Sequence, residues 1–318
     1  MIKVGEIQEL FHRRLKHNIQ TIETSRKLIL GYQFTHILGY FMVLAVILAG
    51  KPLVKFDPLA FIGAFSGSII VICVFAMAHL GEKRKYLRKY KTYIVKPLVE
   101  FIDPTWKYIA NKGVNPQEIK QSKLFLQQFD LYQSDDLVSG EVGQTDFRCA
   151  DVHLQKLSTL QGAHSIFQGL FFHADFHKHF RGSVFVTPDF TKGKWGNAGI
   201  FIQKHLIGQG ELVKMENQEF ERLYMVHATN PTEARYILTP AIMEAMVKIR
   251  KLYDSPVSFS FINTRMYCAV NFDEQLFEPS IYRSAVKYRD IQFMYALLKL
   301  NKLIIEQMHL NTRIWTKS

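Results

Sequence analysis

Cysteine is almost absent from this sequence. Its three copies, Cys73, Cys149 and Cys268, stand far apart, at no spacing used by a metal site or a redox pair. That excludes a disulfide scaffold and suits a reducing cytoplasm. Internal repeats and low-complexity tracts are missing too, which excludes solenoids and fibrous chains, and a 48 % hydrophobic composition excludes wholesale disorder. No nucleophile–base set, Walker loop, Rossmann fingerprint or zincin motif occurs. Gly140-Glu141-Val142-Gly143 lacks the strand-to-helix crossover and the lysine of a phosphate loop, and reads as a hairpin turn.

Charge is missing from two long stretches. Leu28 to Gly50 and Leu59 to Leu80 contain no Asp, Glu, Lys or Arg, and at 1.5 Å per residue each can cross a hydrocarbon core about 30 Å thick. A buried core helix rarely stays uncharged for so long. A cleaved signal peptide fits no better, because the first run starts only at Leu28, exceeds the apolar core of a leader and is followed by no small-x-small cleavage site. The first run is therefore read as a retained anchor. Lys51–Pro58, a short proline-containing connector, turns the two spans into an antiparallel hairpin.

Basic residues crowd the two outer flanks. Lys3, Arg13, Arg14, Lys16, Arg26 and Lys27 precede the first span, and Lys83, Arg84, Lys85, Arg88, Lys89, Lys91 and Lys96 follow the second, whereas the connector holds only Lys51 and Lys55. The expected topology is a multi-pass protein of a bacterial inner membrane with both termini cytoplasmic. Fifteen basic and five acidic residues lie before position 97, leaving 25 and 23 in the remainder. The net charge of +12 is thus a matter of topology and of anionic headgroups, with Lys83, Arg84, Lys85, Arg88, Lys89 and Lys91 as the lipid-surface set, and not of nucleic acid.

The spacing divides the chain into an amphipathic helix over 1–27, a transmembrane helical hairpin over 28–80, a helical connector over 81–133 and a cytoplasmic α+β domain over 134–318. In the connector, helix is expected to run on through Pro97 with a kink, and Asn115 and Pro116 start a further helix to Gln128. From about Ser134 short alternating runs predict mainly antiparallel strands at Leu137–Val142, Thr145–His153, Gly169–Ala174, Ser183–Thr187, Gly199–Gln203, Leu223–His227, Ala234–Leu238, Val257–Ile262 and Met266–Asn271. Helices are predicted after the Thr239 cap and over about Ser284–His309.

YQSDDLVSGEVGQTDFRCADVHL at Tyr132–Leu154, FQGLFFHADFHKHFRGSVFVTPD at Phe167–Asp189, LVKMENQEFERLYMVHATNPTEARYILTPAIMEAM at Leu212–Met246 and NTRIWTKS at Asn311–Ser318 together resemble the bacterial domain-of-unknown-function family 3137. The likeness covers most of 120–318, and the hairpin before it fits that family's layout. It implies a membrane protein of unassigned activity and cofactor, with no catalytic residues to carry over. Family members are often encoded beside LemA-type membrane proteins, so the resemblance implies a LemA-like protein as a partner.

Among individual residues, His173, Asp175, His177 and His179 share one face of an extended strand, with Asp151 and His153 on an earlier strand. These are the nitrogen and oxygen donors a metal takes. The plain alternative is a solvated strand face alternating with Phe172, Ala174, Phe176 and Lys178. Asp135, Asp136 and Glu141 could act as paired carboxylates, or as aspartates of a turn bonding their own backbone. Glu233 and Arg235, alternating on a predicted strand, could bind an anionic ligand or form a surface ion pair. Gln33, Thr35 and His36 interrupt the first span at its cytoplasmic end, near the wetted interface. The reading that follows is a membrane-anchored binding or scaffold module, with a metal-assisted hydrolase or an anionic-lipid sensor as alternatives.

Overall fold

A computed structural model describes residues 8–9, 15–48, 50, 58–125, 127–158, 162–175, 179–189, 210–253, 255–272, 277–284 and 286–315. By contacts the chain divides into two units, Met1–Leu98 with Glu278–Phe293, and Val99–Phe277 with Met294–Ser318.

The first unit is built on two long helices, α1 (Lys16–Leu48) and α2 (Pro58–Tyr90). Residues 16–27, the end of the amphipathic stretch expected to lead into the first span, form the opening turns of α1. Both helices carry an apolar window long enough to cross a membrane, and only 11 % and 6 % of those windows is buried. Gly39 lets α1 approach Ile72 of α2, where an added Cβ would meet Ile72 Cγ1 at 3.0 Å. Beyond α2 the ladder widens into a π turn, Lys91–Val95, and resumes as α3 (Lys96–Ile102). Pro97 explains the change, since it has no N–H to donate to the carbonyl of Tyr93, four residues earlier. That carbonyl accepts instead from Asn18 Nδ2 at 3.2 Å.

The first unit also holds the chain segment that begins at Glu278. Buried Tyr86 Oη donates to Ser280 O (2.9 Å), Arg26 Nη1 to Ile281 O (3.0 Å) and Gln33 Nε2 to Tyr282 Oη (2.8 Å).

The second unit is α+β. Its strands are β1 (Lys107–Ile109), β2 (Leu131–Val142), β3 (Thr145–Ser158), β4 (Gly162–Asp175), β5 (Ser183–Pro188), β6 (Glu211–Leu212), β7 (Tyr224–Ala228), β8 (Val257–Ile262) and β9 (Arg265–Asn271). Among the described residues they form one sheet in the order β1-β2-β3-β4-β9-β8-β5-β7-β6, antiparallel throughout. Between the strands lie α4 (Pro116–Gln121), α5 (Gln218–Leu223), α6 (Pro231–Ile237) and α7 (Pro240–Tyr253), and α8 (Tyr288–Trp315) follows the last.

Strand alternation gives the sheet two apolar faces. On one, Ala150, Val152, Leu154, Phe171, Tyr267 and Ala269 pack under Val114 and Ile119, with Phe125 and Phe129 beside them. Ser260 Oγ donates to Ser122 O at 2.7 Å across this layer, both residues being fully buried. On the other, Cys149, Phe172 and Cys268 lie in adjacent register. Tyr224 packs 6.1 Å from Phe259 and donates to Met246 O of α7 at 3.2 Å. Burial pushes the Cys268 thiol up, with Cys149 adding to it, so these cysteines serve as small core residues.

Three expectations are corrected. Ala234–Leu238 is not a strand but most of α6. Asn230 Oδ1 caps that helix by accepting from Thr232 N (3.1 Å) and Glu233 N (3.2 Å), with Pro231 at the first position. Asn230→Ala should cost about 1 kcal/mol in urea unfolding, and an unchanged midpoint would show the cap to be idle. The helix opened by Asn115 stops at Gln121 rather than Gln128, because Ser122 Oγ donates back to Ile119 O (2.6 Å) and Lys123 takes a left-handed φ of 50°. The Asp135-Asp136 turn is a bulge inside β2, where the register shifts between Asp135 and Val138. The strand expected at Gly199–Gln203 lies outside the described residues.

Candidate functional site

Among the described residues of the second unit, a dense polar constellation sits at the edge of the first apolar face. Antiparallel register sets Arg148 of β3, His173 of β4 and Tyr267 of β9 side by side, and the next rung holds Asp146, Asp175 and Arg265. Arg265 Nε lies 3.2 Å from Asp175 Oδ2.

Over the first rung hangs Glu118 of α4. A capping box fixes its carboxylate, because Asn115 Oδ1 accepts from Gln117 N (2.9 Å) while Glu118 Oε2 accepts from Asn115 N (2.8 Å). The other oxygen, Oε1, accepts from Arg148 Nη1 at 3.0 Å and lies 3.4 Å from His173 Nε2. Burial alone would raise this carboxyl. The neighbouring His173 imidazole, the Asn115 N–H and the Arg148 charge more than offset it and hold it down to about 2.

His173 is 2 % exposed, with its ring 5.9 Å from Tyr267 and 6.3 Å from Phe171. Its buried Nε2 makes no hydrogen bond among the described residues. Chemically, a carboxylate held so far below neutral pH is an acceptor and an anchor and not a proton donor. The corner pins the α4 arm to the sheet through a charge network.

The sequence-selected residues scatter around this corner. His173 and Asp175 share its face. His177 lies outside the described residues, and His179 is exposed beyond the end of β4. Asp151 and His153 pair with Leu170 and Gln168, which places them on the opposite face of the sheet from His173. Among the described residues no three His, Cys, Asp or Glu side chains converge to hold a metal ion.

Asp136, at φ 57° in the bulge, is buried and accepts from Tyr108 Oη, whereas Glu141 is exposed near the β2–β3 turn. Glu233 and Arg235 ride on α6 and not on a strand, and Glu233 Oε1 accepts from Arg181 N at 3.2 Å. Of the lipid-surface set, Lys83, Arg84, Lys85 and Arg88 are exposed. Lys89 Nζ donates to Ser25 Oγ at 2.9 Å, and Lys91 is buried.

For Glu118 the local signal in the sequence is the capping box spelled by Asn115-x-x-Glu118. Arg148, Tyr267 and Arg265 needed the strand register, which one sequence does not display.

The model of the family described as protein of unknown function (DUF3137) matches residues 165–310, the same family that the motifs above resemble. No curated protein matches the chain. A crystal structure of the mycobacterial trehalose monomycolate transport factor A, TtfA, aligns with 67 % of this chain and 94 % of its own, at 9 % identity and a TM-score of 0.34.

Proposed function

We propose that this protein is anchored in a bacterial inner membrane by its α1–α2 hairpin, with both termini cytoplasmic, and that its α+β unit is a binding or scaffold module working at the bilayer surface. The observation that carries the anchor is the exposure of large apolar side chains all along both helices, among them Phe34, Phe41, Leu48, Leu59 and Ile70 at 60 % or more. Water would not tolerate that much contiguous apolar surface on a monomer. Bound by lipid, the same surface is solvated and the backbone groups are satisfied within each helix. The basic flanks then set the orientation.

Support for a module rather than an enzyme comes from the polar corner, where the carboxylate is committed to Asn115 and Arg148. Its partner is another integral membrane protein, a LemA-like protein being the one the family resemblance suggests, and not nucleic acid.

Two experiments test this reading. Ile70→Arg sits mid-span on an exposed face of α2; in a bilayer it should weaken insertion by about 3 kcal/mol and deplete the alkali-resistant membrane fraction. On a water-exposed helix the same change would leave level and stability nearly untouched, which would overturn the anchor. Purification of the full chain from native membranes in mild detergent should recover a membrane protein at fixed stoichiometry. Recovery of the chain alone with bound zinc or manganese would overturn the scaffold reading in favour of a metal-assisted hydrolase.

A further inference from the structure

We propose that the segment 278–284 is a third membrane contact, an interfacial loop that the helix hairpin holds at the headgroup level with Tyr282 as its aromatic anchor. This rests on the anchor reading above and adds to it a lipid-facing element far along the chain.

Gly39 faces Ile72, and Ser25 faces Lys89, so α1 and α2 run antiparallel with a known stagger. Gln33 stands six residues from Gly39 toward the charged end, about 9 Å along the axis and level with roughly residue 78 of α2. The first charges on α2, Glu82 and Lys83, come only after that level. Gln33 is therefore just inside the apolar zone, and Tyr282, bonded to it at 2.8 Å across 249 residues of sequence, is fixed at the same height.

The chemistry fits that height. An amide at the edge of hydrocarbon is costly without a partner, and the Tyr282 hydroxyl supplies one. Tyr282 is 77 % exposed, a poor arrangement in water and the usual one at a membrane interface, where an apolar ring with a polar tip spans the boundary.

The loop is also held rigidly from behind. Tyr86 Oη and Arg26 Nη1 bind two successive carbonyls, Ser280 O and Ile281 O, and Glu23 bonds the Arg26 guanidinium in turn. Exposed Arg84, Lys85 and Arg88 ring the same end of α2 with charges that attract anionic headgroups. The occupant of this surface is the lipid bilayer, continuous with the one around Leu28 and Phe34, which are exposed on α1.

The test is depth measurement by electron paramagnetic resonance on the full chain in nanodiscs of phosphatidylethanolamine and phosphatidylglycerol. Cys73→Ala leaves only the buried Cys149 and Cys268, so a nitroxide can be placed at exposed Ser284→Cys with Tyr282 intact, at Phe41→Cys as the span reference and at Lys251→Cys as the water reference. The Ser284 label should show several-fold lower access to a nickel chelate than the Lys251 label, and less access to oxygen than the Phe41 label. A Ser284 label as open to nickel as Lys251, beside a protected Phe41 label, would overturn the interfacial loop and leave the anchor standing; a Phe41 label open to nickel would overturn the anchor itself. With the label kept at Ser284→Cys, replacing the ring by Tyr282→Ala should raise nickel access several-fold while Tyr282→Trp keeps it low. Equal access in both variants would show that the ring is no anchor.

Discussion

Gly169→Ala should unfold much of this protein, lowering stability by on the order of 3–5 kcal/mol. Gly169 lies in the interior of β4, paired with Val152 on one side and Asn271 on the other. Its φ is 153°, and an added Cβ would stand 2.0 Å from the carbonyl oxygen of Val270 and 3.0 Å from Phe272 N. Those atoms are backbone and cannot swing aside as a side chain does. Relief would have to come from sliding β9 off β4, and the Phe272 N donation to Gln168 O at 2.8 Å would be lost with it. Gly162, at the start of the same strand, is the internal control. Its φ of 71° is strained for alanine, but nothing lies within 4 Å of an added Cβ, so Gly162→Ala should cost only about 1–2 kcal/mol. Near-ultraviolet circular dichroism of the detergent-purified chain during urea titration separates the two. Equal midpoints would mean that β4 and β9 do not approach as closely as this.

The parts of the fold that the sequence displays are those governed by one strong local rule. The hairpin follows from apolar length alone, and Val257–Ile262 is matched residue for residue by β8, because a strictly alternating strand needs no outside information. β4 is longer than its expected Gly169–Ala174 because Gly162–Gln168 is polar at its outer end. It is held there by pairing with β3 down to Ser158–Gly162, a long-range fact. Ala234–Leu238 (ARYIL) reads as a strand because it is short and alternates Arg235 with apolar residues, whereas Asn230-Pro231 upstream carries the stronger helix signal. The site shows the same division. His173 and Asp175 stand out as residue types, but their true neighbours, Glu118, Arg148 and Arg265, come from three other segments. A period of two tells which residues share a face of one strand, and not which strand lies beside it.

Acid should loosen the grip of α4 on the sheet, and Glu118→Gln should remove that acid sensitivity. The Glu118 carboxyl titrates at about 2 in the folded chain against an ordinary value of 4.5. A depressed carboxylate gives stability that is fully present above its unfolded value and is lost as pH falls through the folded one. The window is therefore from about pH 4.5 down to about pH 2; unscreened, the span would be worth roughly 3 kcal/mol, and water around the half-exposed Arg148 reduces it to on the order of 1–2 kcal/mol. The change comes from Glu118 losing its own charge beside Arg148 Nη1. Glutamine retains an oxygen for Asn115 N but carries no charge for Arg148 or His173 and does not titrate. The variant should be weaker than the parent at pH 7 by up to that amount, and the two should converge as the pH approaches 2. Urea midpoints at pH 7, 4 and 2.5 decide it: parallel curves for parent and variant across that range would mean that the Glu118–Arg148–His173 contact stabilises nothing, and that the capping box alone positions α4.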